Sequence, residues 1–133
     1  MMWEAVTVSG EQVLVVEDDR AMREALTRIL SVAGFRVSDF PSAETMLAAG
    51  SIADCACLVL DIHLPGISGF ELHRRLTQRG YSIPVIFITG VDDEPTREKA
   101  AGAGAEAYLA KPFPGRQLID AVTAAVHSPK AHS

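Results

Sequence analysis

The chain has 133 residues, enough for one domain that buries roughly two-thirds of its unfolded surface. Its 48% hydrophobic and 22% charged residues exclude a disordered chain, and a net charge of −5 argues against direct nucleic-acid binding, which needs a basic face. No apolar stretch approaches the ~18 residues of a membrane span, and Met1-Met2-Trp3-Glu4 lacks the layout of a signal peptide, so a cytoplasmic domain without a membrane partner is expected.

Strand-like runs alternate with helical stretches along the chain. The first run, residues 13–16, ends in Glu17, Asp18 and Asp19. The helix after it carries Met22, Leu26, Ile29, Leu30 and Ala33 in one apolar stripe and stops at Gly34, a natural C-terminal cap. Asp19 is placed to cap its start. A run at 35–37 leads to a short helix near 42–49. Residues 57–60 form a continuous apolar run that ends at Asp61, just before the turn segment Leu64-Pro65-Gly66. The third helix opens with Ser68-Gly-Phe-Glu71, a capping box, and turns Leu72 and Leu76 inward. The fourth run, 85–88, is again wholly apolar and leads into Thr89-Gly90. The helix at 93–103 offers only alanines such as Ala100 and Ala103 as anchors. At ~0.8 kcal/mol per buried methylene it should be the most loosely held. The fifth run, 107–109, precedes Lys111-Pro112, and the last helix, after Gly115, aligns Leu118, Ile119, Val122 and Val126 on one face.

The third and fourth runs are continuously apolar rather than alternating, so helices should cover both faces of a doubly wound parallel sheet. Ligands of such sheets bind outside the carboxyl ends of the strands. The residues found there are Glu17, Asp18, Asp61, Thr89 and Lys111. No phosphate-binding glycine loop, dinucleotide fingerprint or nucleophile elbow is present. Cys55 and Cys57, spaced C-x-C, should share a strand face, where a disulfide between them would be strained; they read as small packing residues.

Clustered carboxylates repel one another and invite a divalent cation. Magnesium takes oxygen ligands, usually one or two carboxylates together with phosphate oxygens. A carboxylate can itself attack phosphorus, and an ammonium and a hydroxyl can stabilise the charge on a phosphoryl group in transfer. Two acids for metal, an acceptor acid, a lysine and a threonine fill those roles.

Four stretches carry a family resemblance: Val13-Leu-Val-Val-Glu-Asp-Asp-Arg20, Leu58-Val-Leu-Asp-Ile-His-Leu-Pro-Gly-Ile-Ser-Gly69, Ile83-Pro-Val-Ile-Phe-Ile-Thr-Gly90 and Gly104-Ala-Glu-Ala-Tyr-Leu-Ala-Lys-Pro-Phe113. In order and spacing they resemble the receiver domain of bacterial two-component response regulators, over about residues 12–127. Residues 1–11 are then an N-terminal extension and 128–133 a C-terminal tail. The resemblance implies a flavodoxin-like (βα)5 sheet with five parallel strands in the order 2-1-3-4-5. It implies that Asp61 accepts a phosphoryl group from a sensor histidine kinase or a phosphotransfer protein. Mg²⁺, or Mn²⁺, would be held by Glu17, Asp18, Asp61 and the backbone carbonyl of His63. Thr89 would be the switch hydroxyl, Lys111 the amine on the phosphoryl oxygen, Tyr108 the aromatic switch, and Lys111-Pro112 a cis bond. Signal would pass to an effector domain or protein, or to a second copy, through the fourth helix, fifth strand and fifth helix.

Two positions give the chain its own character: Glu17 stands where the family more often has Asp, and His63 lies two residues beyond the acceptor. The His63 imidazole is expected to overhang the site and to modulate how fast water reaches phosphorylated Asp61. His73, His127 and His132 read as solvated. Taken singly, Thr89 is a turn cap, Lys111 an exposed lysine and Tyr108 a core residue. Two other readings compete with a phosphoacceptor that is no turnover enzyme. One is a phosphorylation-independent docking domain of this fold. The other is an aspartyl-phosphate phosphatase of the haloacid dehalogenase type, which wants a second Asp where His63 stands.

Overall fold

The structure, a computed structural model, describes residues 10–50, 52 and 54–128, so the expected extension and tail lie almost wholly outside the described residues, as does His132. Five strands, β1 (Gln12–Val16), β2 (Arg36–Phe40), β3 (Cys55–Asp61), β4 (Val85–Thr89) and β5 (Ala107–Ala110), pair in parallel in the order β2-β1-β3-β4-β5. Between and after them run α1 (Arg20–Val32), α2 (Ala43–Ala49), α3 (Gly69–Gln78), α4 (Glu94–Gly102) and α5 (Gly115–Val126). This is the expected doubly wound sheet and strand order. The chain reverses direction across the sheet between β1 and β3, which opens a crevice at their carboxyl ends.

Two apolar layers hold the helices. On one face Leu26, Leu30, Leu118 and Val122 of α1 and α5 pack on Val13, Val15, Val59, Ile86 and Ile88. On the other, Met46, Leu72, Leu76 and Ala100 from α2, α3 and α4 pack on Leu14, Leu58, Leu60 and Phe87. Both β3 and β4 are buried along their whole length, as strands covered on both faces must be. Each fully buried Leu or Val in these layers contributes about 1.5–3 kcal/mol.

Local signals mostly hold. Asp19 caps α1, its carboxylate accepting from the Met22 N–H at 2.9 Å, and Gly34 leaves the helix at φ 104°. The stripe on α1 ends a turn early, because Ala33 is the exposed C-cap. At α3, Ser68 accepts from the Glu71 N–H at 3.1 Å, but Glu71 turns to Arg74 and Arg75 and leaves the reciprocal half of the capping box unmade. The second strand reaches Phe40, past the expected 35–37, since an edge strand tolerates the polar Ser38 and Asp39. His127 is exposed as expected, but His73 is half-buried, with its ring edge-on to Phe87 at 5.7 Å.

The cysteines overturn one expectation. Gln12 pairs with Cys55 while Val13 pairs with Cys57, so β3 carries a bulge at Ala56 that inserts one residue into the alternation. Cys55 therefore packs with Leu58 and Leu60 on one face, and Cys57 with Val59 on the other. Both are buried free thiols, as their packing role requires. Burial pushes the Cys55 thiol up to about 11 and raises Cys57 well above its ordinary value, which disfavours the thiolate form of both.

Candidate functional site

Among the described residues the buried polar side chains are Glu17, Asp61, Thr89 and Ser128, and the first three stand at the carboxyl ends of β1, β3 and β4. Register explains their meeting. Val16 lies beside Leu60, so the next residues, Glu17 and Asp61, become neighbours across the crevice. Glu17, Asp18 and Asp61 each bring a carboxylate oxygen to within 4.8 Å of the others, with Asp18 on the exposed side.

Lys111 reaches this cluster from the end of β5. Its Nζ lies 2.8 Å from Glu17 Oε1 and 3.3 Å from Asp61 Oδ2. The Lys111-Pro112 bond is cis, as the resemblance implied. Asp61 Oδ1 accepts from the His63 N–H at 3.0 Å, so both oxygens of the Asp61 carboxylate are engaged.

The electrostatics follow from burial. Loss of water pushes the Glu17 carboxyl up to about 7; bonds from Lys111 and the Asp19 N–H oppose this, and the charge of Asp61 adds to it. For Lys111 burial acts to lower the pKa, but the bond to Glu17 and the charge of Asp61 outweigh it and raise the pKa above the ordinary lysine value. The ammonium stands where a cation would relieve the repulsion between the acids. A hard divalent ion such as Mg²⁺ or Mn²⁺ fits this all-oxygen donor set.

The remaining expected residues are buried Thr89, half-buried Tyr108 and exposed His63. The Thr89 hydroxyl donates to the Val91 carbonyl at 3.1 Å and accepts from the Val91 N–H at 2.9 Å, the turn-capping role that its sequence context suggested. Half-buried Tyr108 donates to Asp92 Oδ1 at 3.1 Å, and the same oxygen accepts from Arg97 Nε at 2.8 Å. The His63 side chain is exposed. Asp93, which caps α4, is held below the usual carboxylate range by Thr96 and, more weakly, by His63.

Arg23 belongs to the site although no sequence signal pointed to it. From α1 its Nη1 donates to the Glu17 carbonyl at 2.9 Å and, at 3.5 Å, to that of Asp18. It clamps the backbone that presents the acids. An arginine in a first helical turn is ordinary; its role depends on how the preceding loop folds back.

A family model described as the response regulator receiver domain matches residues 13–123. Nodulation protein W of Bradyrhizobium diazoefficiens is 44% identical over 113 residues, 85% of this chain and 50% of that protein. The transcriptional regulatory protein FixJ of Azorhizobium caulinodans is 41% identical over 112 residues, 84% of this chain and 53% of that protein. Among solved structures, the response regulator StyR superposes with a TM-score of 0.81 at 41% identity, covering 88% of this chain and 59% of that one. The chain spans about half the length of the curated relatives it matches. A match that runs from β1 into α5 leaves one conclusion: the chain belongs to the response regulator receiver domain family.

Proposed function

We propose that Asp61 is the phosphoacceptor of a two-component signalling module, taking its phosphoryl group from the phosphohistidine of a sensor histidine kinase or phosphotransfer protein. The observation that carries this is the convergence of Glu17, Asp18, Asp61 and the Lys111 ammonium at one strand edge, inside a receiver-family fold. A carboxylate oxygen of Asp61 attacks phosphorus, the P–N bond breaks, and its electron pair leaves with the imidazole of the donor. Mg²⁺, or Mn²⁺, held by Glu17, Asp18, Asp61 and the His63 carbonyl, would neutralise charge on the phosphoryl oxygens.

Lys111 is shared between Glu17 and Asp61 before transfer, and afterwards pairs with a phosphoryl oxygen at the acceptor. Thr89 gives up its turn bonds at Val91 to donate to another such oxygen. That movement shifts the β4–α4 loop, whose Asp92 holds Tyr108, so the face formed by α4, β5 and α5 changes for an effector or a second copy. The module turns over no substrate of its own.

Acetyl phosphate with Mg²⁺ tests the reading. Wild-type protein should form an alkali-labile phosphoryl adduct, and Asp61→Asn should form none. An equal adduct in Asp61→Asn moves the acceptor elsewhere; no adduct in the wild type leaves a docking domain.

A further inference from the structure

The loop between β3 and α3, residues 62–68, is fastened at both ends. At its base the Gly69 N–H donates to the Ile62 carbonyl at 3.0 Å. A Cβ at Gly69 would collide with the Asp61 carbonyl oxygen, so glycine alone lets α3 begin this close to the acceptor backbone. At its tip the Ile67 N–H donates to Glu44 Oε2, on α2, at 3.1 Å. Gly66, at φ 74°, leaves the space in which that carboxylate sits, and a Cβ there would strike the same oxygen. Between the fasteners lie buried Leu64 and exposed His63, whose N–H orients Asp61 Oδ1.

We propose that Glu44 is a positioning residue of the phosphoacceptor site. By holding the loop tip it keeps the His63 backbone in register with the Asp61 carboxylate, and so presets the acid cluster for its cation. The inference rests on the reading of Asp61 given above. Groups one step removed from metal ligands commonly decide how well the ligands are aimed. Nothing in the sequence around Glu44 announces this, because the bond spans 23 residues and joins two elements.

Glu44 also lies in the first turn of α2, where a negative charge favours the helix. Two substitutions separate the roles. Glu44→Ala removes both charge and acceptor; Glu44→Gln removes the charge but keeps a carbonyl oxygen for the Ile67 N–H. In metal-free protein, Glu44→Ala should speed amide exchange at Ile67 and His63. Calorimetric titration should show it binding Mg²⁺ about tenfold more weakly than wild type. Glu44→Gln should restore both toward wild type. Wild-type Mg²⁺ affinity in Glu44→Ala overturns the proposal, and so does a Glu44→Gln protein as weak as Glu44→Ala, which would assign the effect to the helix charge. Failure of the Asp61 reading shows separately, as wild-type protein that binds Mg²⁺ yet takes no phosphoryl group from acetyl phosphate.

Discussion

Glu17 is fully buried, and the counter-charge it meets is the Lys111 ammonium at 2.8 Å. Its folded pKa of about 7 stands above the ordinary 4.5 because burial disfavours the ionised form. A carboxyl whose pKa is raised on folding contributes stability that is fully present below pH 4.5 and lost as the pH rises through 7. Without a divalent cation, the melting temperature should therefore fall between pH 5 and pH 8, and Glu17→Gln should flatten that fall. Ligation needs the deprotonated acid, so Mg²⁺ should raise the melting temperature more at pH 8 than at pH 5.5. In a domain of this size each kcal/mol moves it by roughly 3–5 °C, which differential scanning calorimetry resolves. Equal shifts at the two pH values would remove Glu17 from the metal set. The identity of this acid is plain in the sequence; its altered protonation is not, because that depends on which groups β1, β3 and β5 bring beside it.

At the level of elements, α4 is the least anchored of the helices. It buries Ala100 alone, so little apolar area opposes its release. Lys99 lies over the Phe70 ring at 4.9 Å, a contact worth about 0.5–1 kcal/mol at an exposed site. The Asp92 carboxylate joins Arg97 of α4 to Tyr108 of β5, and Thr89 holds the backbone of Val91 one residue before it. Amide exchange should accordingly be faster in Glu94–Gly102 than in α1, α3 or α5, and beryllofluoride with Mg²⁺ should slow it. Uniform protection of all helices, unchanged on adding beryllofluoride, would count against a mobile α4. The weak anchoring is legible in the alanine-rich sequence. The Asp92–Arg97–Tyr108 linkage is not, since it depends on where β5 lies relative to the β4–α4 loop.

Across the described residues as a whole, one sheet separates two apolar layers, and the bulge in β3 places one thiol in each. Unfolding as a unit should therefore expose Cys55 and Cys57 together. Under native conditions both should react with a thiol reagent at one slow rate, set by global unfolding and equal in the two single-cysteine variants. Unequal rates would mean that the two layers open separately. The alternation of apolar runs and amphipathic stretches already implies this sheet, because covering both faces of a parallel strand demands uniform hydrophobicity. The acids at strand ends already imply the crevice, because an ionisable group survives there only if solvated or paired. What the sequence determined by itself is thus whatever short-range periodicity and residue chemistry encode: the class of fold and the acids that follow its strands. The tertiary structure alone decided the faces of the two cysteines, the Arg23 clamp, the sharing of Lys111 between Glu17 and Asp61, and the Glu44 fastener. Each of these follows from contacts between segments distant in the chain, set by strand register and helix placement rather than by any local pattern.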